Sequence, residues 1–322
     1  MEKVRWGILG CADIVERRFL PSLTGECNNG VLQAIASKSR GERMSRMAGQ
    51  YQPPKIYEEY EQLLADVEVD AVYIPLPNGL HVEWTIKALQ AKKHVLCEKP
   101  MAVSVREIEL IRTAAAENGV NVMEAFACLH SPLYPTIREL IAKGEIGQLR
   151  IVDSVFCYCM DEGSINASRE LLGGSINDIG CYNLLTIRQL TGREPVCVKA
   201  MAVFLPTGVD GTVTALLDMG GDVTGCYKSS LLSVSHRGLY ALGDEGYISF
   251  PKTPNTWGEL SLTLSSLKYS KTIPLTVPNP YALEIVQMGR CILEGETPLV
   301  TLDESSKNAR ALEMLHTAIG EP

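Results

Sequence analysis

Residues 4–15, VRWGILGCADIV, decide how the first half of this chain folds. An apolar run ends in Gly10 and amphipathic sequence follows at once, which is typical of a strand that turns sharply into a helix. Glycines suit such a turn because backbone N–H groups at the helix N-terminus then face a pyrophosphate. Ala12 and Val15 stand where the dinucleotide fingerprint has its second and third glycines, so the motif is degenerate.

From this turn to residue 124, short β-branched runs alternate with longer amphipathic runs. The alternation predicts repeated strand-helix-strand units, a parallel sheet and an α/β fold. The predicted strands cover about 4–9, 32–37, 54–57, 71–75, 94–97 and 120–124, and the predicted helices cover about 13–23, 41–50, 58–66, 79–92 and 104–118. Residues 1–124 are therefore predicted to form a Rossmann dinucleotide-binding domain. Its first turn offers the candidate cofactor-binding residues Gly10, Cys11, Ala12, Asp13 and Ile14.

The rhythm changes after residue 124 and indicates an α+β layout. We predict a helix at about 132–143, a long strand at 148–160 and a helix after Gly173 and Gly174. Further strands are predicted at about 195–205, 211–219, 223–234, 238–243, 246–250, 258–266 and 270–275, and helices at 280–294 and 303–318. Asp303 is a candidate N-cap of the last helix. Residues 125–322 are predicted to form a substrate-binding and dimerisation domain with a large open, mainly antiparallel sheet.

The composition excludes several classes of protein. The chain has 322 residues, 46% of them hydrophobic, and a formal net charge of −8, which argues against a nucleic-acid partner. No stretch is apolar enough to be a membrane span or the core of a signal peptide, so we expect a cytoplasmic protein. The ten cysteines are scattered without a CxxC pair, which favours reduced, buried thiols and no metal site.

The end of the second predicted strand bears on the choice of cofactor. It reads ASKSR over residues 36–40, and Arg43 lies one turn further on. An acidic residue here would bind the ribose hydroxyls of NAD, whereas a basic residue accommodates a 2′-phosphate. We therefore predict that Ser37, Lys38 and Arg43 favour NADP over NAD. The alternative is a solvated loop with incidental positive charge.

Three further segments carry the candidate chemistry. PLPNGLH (75–81) and CEKP (97–100) follow the fourth and fifth predicted strands, where a doubly wound sheet presents its ligands. The second half contributes GGSINDIGCY (173–182), in which Asp178 and Tyr182 lie four apart and would share one face of a helix. In the alternative interpretation, Asp178 caps the helix and Tyr182 is a packing aromatic.

Together these segments resemble the glucose-fructose oxidoreductase / inositol dehydrogenase (Gfo/Idh/MocA) superfamily over nearly the whole chain. The resemblance implies that an Asn-x-x-His turn and a Glu-Lys-Pro turn flank the nicotinamide, and that the peptide between Lys99 and Pro100 is cis. It adds to the candidate cofactor site Pro75, Leu76, Pro77, Asn78, His81, Glu98 and Lys99.

Tyr182 makes the chain similar to a tyrosine-bearing subgroup that includes D-xylose dehydrogenase and dimeric dihydrodiol dehydrogenase. The resemblance implies NAD(P)-dependent hydride transfer on a sugar, dihydrodiol or keto-sugar, with Lys99 and Tyr182 as the acid-base pair and Asp178 as a third catalytic residue. A phenol ionises near pH ~10 in water, and a nearby ammonium group favours the phenolate. Two alternatives follow from other superfamily members: transient oxidation by a retained nucleotide that cleaves or epimerises a glycoside, and a non-catalytic dinucleotide or sugar sensor.

One segment departs from the superfamily pattern. Many members carry an aromatic-Arg-aromatic-His-Pro run after the sixth strand, whereas residues 124–132 read EAFACLHSP and lack the arginine. His130 contacts the substrate in one interpretation and packs in the core in the other. The identity of the substrate and the direction of the reaction therefore stay open.

The predicted strands of the second half are apolar on both faces. Residues 151–160 and 197–204 show no plainly polar face, so their sheet needs cover on both sides. Helices of the same chain can cover one side. We therefore predict a homodimer, or a dimer of dimers, that buries the other side about a two-fold axis.

Overall fold

The computed structural model of the protein describes residues 2–38 and 41–320. The chain forms two compact units. The first unit comprises Met1–His130 and Asn279–Ser306, and the second comprises Ser131–Pro278 and Lys307–Pro322. Each unit contains one β-sheet.

The first unit is built on a sheet of six parallel strands. They are β1 (Val4–Leu9), β2 (Gly30–Ala36), β3 (Lys55–Tyr57), β4 (Ala71–Ile74), β5 (His94–Glu98) and β6 (Val122–Ala125). Their order is β3-β2-β1-β4-β5-β6, and every neighbouring pair is parallel. The direction of winding reverses between β1 and β4, and such a switch point opens a crevice at the carboxyl ends of the strands. The predicted Rossmann fold is confirmed.

The second unit contains a sheet of eight strands. They are β7 (Leu149–Cys159), β8 (Cys197–Phe204), β9 (Asp210–Asp218), β10 (Thr224–Ser230), β11 (Leu232–Gly243), β12 (Gly246–Phe250), β13 (Gly258–Ser266) and β14 (Ser270–Val277). Their order is β14-β13-β12-β11-β7-β10-β9-β8, and only the β7–β10 pair is parallel. The predicted large, mainly antiparallel sheet is confirmed.

The helices in chain order are α1 (Leu20–Gly25), α2 (Glu42–Tyr51), α3 (Tyr60–Leu64), α4 (Asn78–Gln90), α5 (Val105–Asn118), α6 (Leu133–Ala142), α7 (Cys181–Thr191), α8 (Pro280–Leu293) and α9 (Leu302–Ile319). Hydroxyl side chains set the start of two of them. The hydroxyl of Ser104 accepts from the Glu107 N–H at 3.3 Å and caps α5. The hydroxyl of Thr301 accepts from the Glu304 N–H at 3.2 Å and caps α9 in the same way.

Asp303 is not the N-cap of the last helix, so that prediction was wrong. It lies inside the first turn of α9, and its carboxylate accepts from Arg112 Nη2 at 2.8 Å. Two other predicted elements are also interrupted. The predicted helix over 13–23 contains a π-helical turn, Val15–Phe19, before α1. The predicted strand over 223–234 breaks at Leu231, where the chain crosses the end of β7. The Leu231 carbonyl accepts a hydrogen bond from the Met160 N–H at 2.9 Å.

The described residues contain no helix that is long and apolar enough to cross a membrane. They also contain no group of three or more His, Cys, Asp or Glu side chains arranged to hold a metal ion. The cysteines are free thiols, but they are not uniformly buried. Cys157 is buried, whereas Cys159, two residues along β7, is exposed because the strand ends there.

Candidate active site

The turn after β1 has the geometry of a nucleotide-binding turn. Gly10 has a φ of +108°, a conformation that residues with a Cβ rarely adopt, and its N–H donates to the Ala36 carbonyl at 2.8 Å. A Cβ at this position would lie 2.9 Å from Leu76 Cδ2. Because glycine has no side chain, none covers the backbone of the turn at this position. The residues from Cys11 to Ile14 then lead into the π-helical turn and α1.

Cationic and hydroxyl side chains follow β2, beside this turn. Ser37 is buried, and Lys38 is exposed, with its ammonium 5.3 Å from the Tyr60 ring and 5.5 Å from the Trp84 ring. Arg43, on α2, donates from Nη1 to the Cys11 carbonyl at 3.2 Å. Positive charge therefore borders the glycine turn. Ser39 and Arg40, which belong to the same sequence motif, lie outside the described residues.

His81 joins the loops that follow β4 and β5. Its Nε2 lies 2.7 Å from the Leu76 carbonyl oxygen and its Nδ1 lies 2.8 Å from the Pro100 carbonyl oxygen. The ring is buried in the first turns of α4, and burial lowers the pKa of His81 to about 4. Both ring nitrogens lie within hydrogen-bonding distance of a carbonyl oxygen, and the single N–H of a neutral ring donates to one of the two. The Pro75-Leu76-Pro77-Asn78 loop and the Glu-Lys-Pro loop are thereby held together.

Glu98 is fixed by groups from neighbouring elements. The Tyr73 hydroxyl on β4 donates to Glu98 Oε1 at 2.5 Å, and the Lys99 N–H donates to Oε2 at 3.3 Å. Lys99 itself is half-buried, and its peptide with Pro100 is cis, as the resemblance implied. Glu284 is buried on α8, and the charge of the Glu98 carboxylate affects its pKa. Burial and the charge of Glu98 raise the pKa of Glu284 well above its usual range.

Asp178 and Tyr182 both contact β7 in the second unit. The Tyr158 hydroxyl donates to Asp178 Oδ2 at 2.6 Å, and the Asn166 amide donates to the Tyr158 oxygen at 2.9 Å. The Tyr182 ring is buried, with its centroid 6.2 Å from that of Phe156. Burial and the Asp178 charge raise the pKa of Tyr158. Tyr158 is therefore a neutral hydrogen-bond donor that orients Asp178.

A buried polar network lies behind these two residues. The segment between the Gly173-Gly174 turn and α7 is a π-helical turn, Ile176–Gly180, rather than a regular helix start. The Asp210 carboxylate accepts from the Ser175 hydroxyl at 2.6 Å and from the Ile176 N–H at 2.8 Å. Ser175 and Ser229 hydroxyls lie 2.8 Å apart. The network ties the π-helical turn to the sheet.

His130 packs within the first unit. It ends the short 3-10 turn Ala127–His130, and burial lowers its pKa to about 4, with the Arg290 charge acting in the same direction. Its Nε2 has no hydrogen-bond partner among the described residues. The burial of the His130 ring favours the packing interpretation.

Sequence reasoning missed Tyr73, Tyr158, Asp210 and Glu284. Glu284 had a signal, because it is an acidic residue in the otherwise apolar helical run YALEIVQM. Tyr73, Tyr158 and Asp210 lie in strand-like sequence that looks like ordinary core. Only long-range pairing shows which polar groups they meet.

Residues 4–126 match the family described as "Oxidoreductase family, NAD-binding Rossmann fold", and residues 134–249 match "GFO/IDH/MocA C-terminal domain". D-xylose 1-dehydrogenase (NADP(+)) 2 of Haloferax volcanii is 31% identical over 317 residues, which are 97% of this chain and 96% of the relative. Trans-1,2-dihydrobenzene-1,2-diol dehydrogenase of Mus musculus is 29% identical over 98% of this chain and 97% of the relative.

Solved structures agree with these matches. A 3-ketoreductase from Actinomadura kijaniata, in complex with NADP and TDP-benzene, aligns with a TM-score of 0.93 at 28% identity. The alignment covers 99% of this chain and 98% of the reductase. An aldose-aldose oxidoreductase from Caulobacter crescentus aligns with a TM-score of 0.89 at 26% identity, again over 99% and 98% of the two chains.

Proposed function

We propose that this chain, which belongs to the GFO/IDH/MocA oxidoreductase family, uses NADP(H) to interconvert a sugar-like alcohol and its ketone. The observation that carries the proposal is the carboxyl edge of the six-stranded sheet. Gly10, Ser37 and Lys99 follow β1, β2 and β5 there, around the point where the strand order reverses. A nucleotide bound at this edge would reach from the Lys38 side to the Glu-Lys-Pro loop.

The residues of the first unit fit NADP(H). The turn at Gly10 leads into a helical segment, and the first backbone N–H groups of such a segment suit a pyrophosphate. Ser37, Lys38 and Arg43 offer a hydroxyl and two cations for a 2′-phosphate. The Haloferax relative is named for NADP(+), and the Actinomadura reductase was solved with NADP. Both support the choice of NADP over NAD.

When bound, the nicotinamide exchanges a hydride with the reacting carbon of the substrate. The chain supplies the proton chemistry. In the proposal, Tyr182 takes the alcohol proton at its phenol oxygen during oxidation and donates it to the carbonyl oxygen during reduction. The Lys99 ammonium stabilises the phenolate form. Asp178, held by Tyr158, orients the start of α7 and the substrate hydroxyls.

The solved relatives support these roles. Structures of the Actinomadura reductase include forms in which a lysine is replaced by alanine or by glutamate, and a form in which a tyrosine is replaced by phenylalanine. Lysine and tyrosine are the two side chains that the proposal assigns to proton transfer. Retention of both here favours an enzyme over a sensor.

Turnover of substituted proteins tests the proposal. We expect Lys99→Met and Tyr182→Phe each to reduce NADP(H)-linked turnover by ~100-fold or more, since positioned acid-base groups contribute about 10²–10⁴-fold. Absorbance of reduced nicotinamide, followed with a panel of aldoses, inositols and trans-dihydrodiols, measures the rate. Lys268→Met and Tyr269→Phe, both at exposed positions in the turn between β13 and β14, are the matched controls. Near-normal rates in Lys99→Met or Tyr182→Phe contradict the assigned roles.

The open face of the second sheet supports a homodimer or a dimer of dimers. Met201 and Val234 are 82% exposed, Val203 is 59% exposed and Leu216 is 56% exposed. Met201 pairs with Thr214 and Lys199 pairs with Leu216 across β8 and β9, so these side chains share one face. Exposed apolar groups on this scale need cover, and a second copy of the chain about a two-fold axis would supply it.

A further inference from the structure

Arg237 and the candidate catalytic tyrosine of the second unit both contact the Phe156 ring. It pairs in register with Phe156 across β11 and β7, and its guanidinium carbon lies 5.0 Å from the Phe156 ring centroid. The Phe156 ring is the one that contacts Tyr182. Ser154, on the same face of β7, hydrogen-bonds Asn183 of α7 at 2.8 Å. Arg237 is therefore on the α7 side of the sheet.

A bulge in β11 produces this position. Leu232 pairs with Cys159 and His236 pairs with Cys157, so three residues of β11 lie opposite the single residue Tyr158 of β7. Bulges re-aim side chains and occur frequently next to active sites. Without the two extra residues, the alternation of β11 would place a different side chain opposite Phe156.

The charge of Arg237 has no ion-pair partner among residues 2–38 and 41–320. Arg237 is exposed and forms no hydrogen bond or ion pair with any residue in the described part of the chain. The nearby cation Lys228, on the opposite face, pairs with Asp153 at 2.9 Å. The acidic group on the α7 side, Asp178, accepts a hydrogen bond from Tyr158. A guanidinium stacked on a ring keeps its N–H edges free for an anion.

We infer that Arg237 and Phe156 form a subsite for an anionic group, a phosphate or a carboxylate, carried by the sugar-like substrate. The inference rests on the proposed function, which supplies the reacting carbon beside Tyr182. Arg237 binds the oxyanion with paired N–H donors, and the Phe156 ring, 5.0 Å from the guanidinium carbon, supports it through a cation–π contact. An anionic sugar is therefore a better ligand than the neutral sugar of the same ring.

Binding to the NADP⁺-loaded protein tests the subsite. The probes are D-glucose, D-glucose 6-phosphate, D-glucuronate and UDP-glucose, each measured by calorimetry. We expect at least one anionic probe to bind roughly 10-fold or more tighter than D-glucose, since hydrogen bonds to charged groups are worth more than neutral ones. The phosphate and carboxylate probes identify which anion the subsite prefers.

Substitution assigns the effect to the guanidinium. Arg237→Gln removes the charge, and we expect it to abolish the preference for the anionic probe while leaving D-glucose binding unchanged. Arg237→Lys keeps the charge without the paired donors and should retain part of the preference. Lys268→Gln, an exposed cation in the turn between β13 and β14, is the matched control and should change nothing.

The outcomes separate this inference from the proposed function. Equal binding of neutral and anionic probes, or a preference that survives Arg237→Gln, overturns the subsite. Binding of an anionic probe that depends on Arg237, in a protein that turns over no substrate, supports the subsite and contradicts the proposed function.

Discussion

Gly180→Ala tests the packing that holds the second-unit site. Gly180 closes the π-helical turn with a φ of −67° and a ψ of −31°, an ordinary helical conformation that alanine adopts readily. Space, rather than backbone freedom, therefore requires glycine here. A Cβ at this position would collide with the Tyr227 hydroxyl. Tyr227 is fully buried and donates to Ser229 at 2.8 Å, so it has no room to withdraw.

The expected magnitude follows from three opposing effects. Alanine is favoured over glycine in a helix by about 1 kcal/mol. Overpacking a core costs about 1–3 kcal/mol. Separating the Tyr227 hydroxyl from Ser229 leaves a buried polar group unpaired, which costs about 1–3 kcal/mol. The losses exceed the gain, so we expect Gly180→Ala to lower the free energy of unfolding by about 1–5 kcal/mol.

Thermal unfolding measures this effect, at about 2–4 °C of Tm per kcal/mol for a domain of this size. Gly49→Ala is the matched control, because Gly49 lies in α2 and nothing stands within 4 Å of a Cβ added there. We expect that control to raise stability by about 0.5–1 kcal/mol. Combining Gly180→Ala with Tyr227→Phe removes the colliding oxygen and should recover part of the loss. A Gly180→Ala protein as stable as Gly49→Ala would refute the reasoning.

Three further predictions concern the cofactor, the catalytic turn and the assembly. Lys38→Ala should weaken NADP(H) binding by about 10-fold while leaving NAD(H) binding unchanged, as measured by fluorescence titration, and an equal loss for both contradicts the assignment. Asp178→Asn should reduce NADP(H)-linked turnover less than Tyr182→Phe, and an equal or larger loss would place Asp178 in the chemistry itself. Met201→Glu should separate the assembly into single chains, and light scattering measures the resulting mass. A wild-type mass near 35.2 kDa rules out the dimer.

Local sequence patterns predicted most of the fold. The six parallel strands and their helices follow from alternating apolar periods, with glycine and proline turns between them. The π-helical turns could not be predicted in this way, because a single i→i+5 turn is too short to show a period of its own in the sequence. The break at Leu231 was missed because no glycine or proline marks a turn in residues 226–234.

Long-range placement set the other limit. Asn279–Ser306 belongs to the first unit, which the linear order of the elements does not reveal. The pKa of Glu284 could therefore not be predicted from the sequence, because it depends on burial and on the charge of Glu98, which lies far earlier in the chain. The candidate motifs were visible from the sequence, whereas the groups that support them came from elsewhere in the chain.

The shared orientation of Asp178 and Tyr182 shows why this distinction matters. Their spacing of four suggested one face of a regular helix, but the π-helical turn Ile176–Gly180 ends between them. Both side chains nevertheless contact β7, Asp178 through Tyr158 and Tyr182 through Phe156. Because residues 156 and 158 lie on one face of that strand, the sheet sets the common direction. Asp210 fixes the π-helical turn, and Gly180 lets the turn pack closely against the sheet. The turn thereby brings Asp178 and Tyr182 against β7.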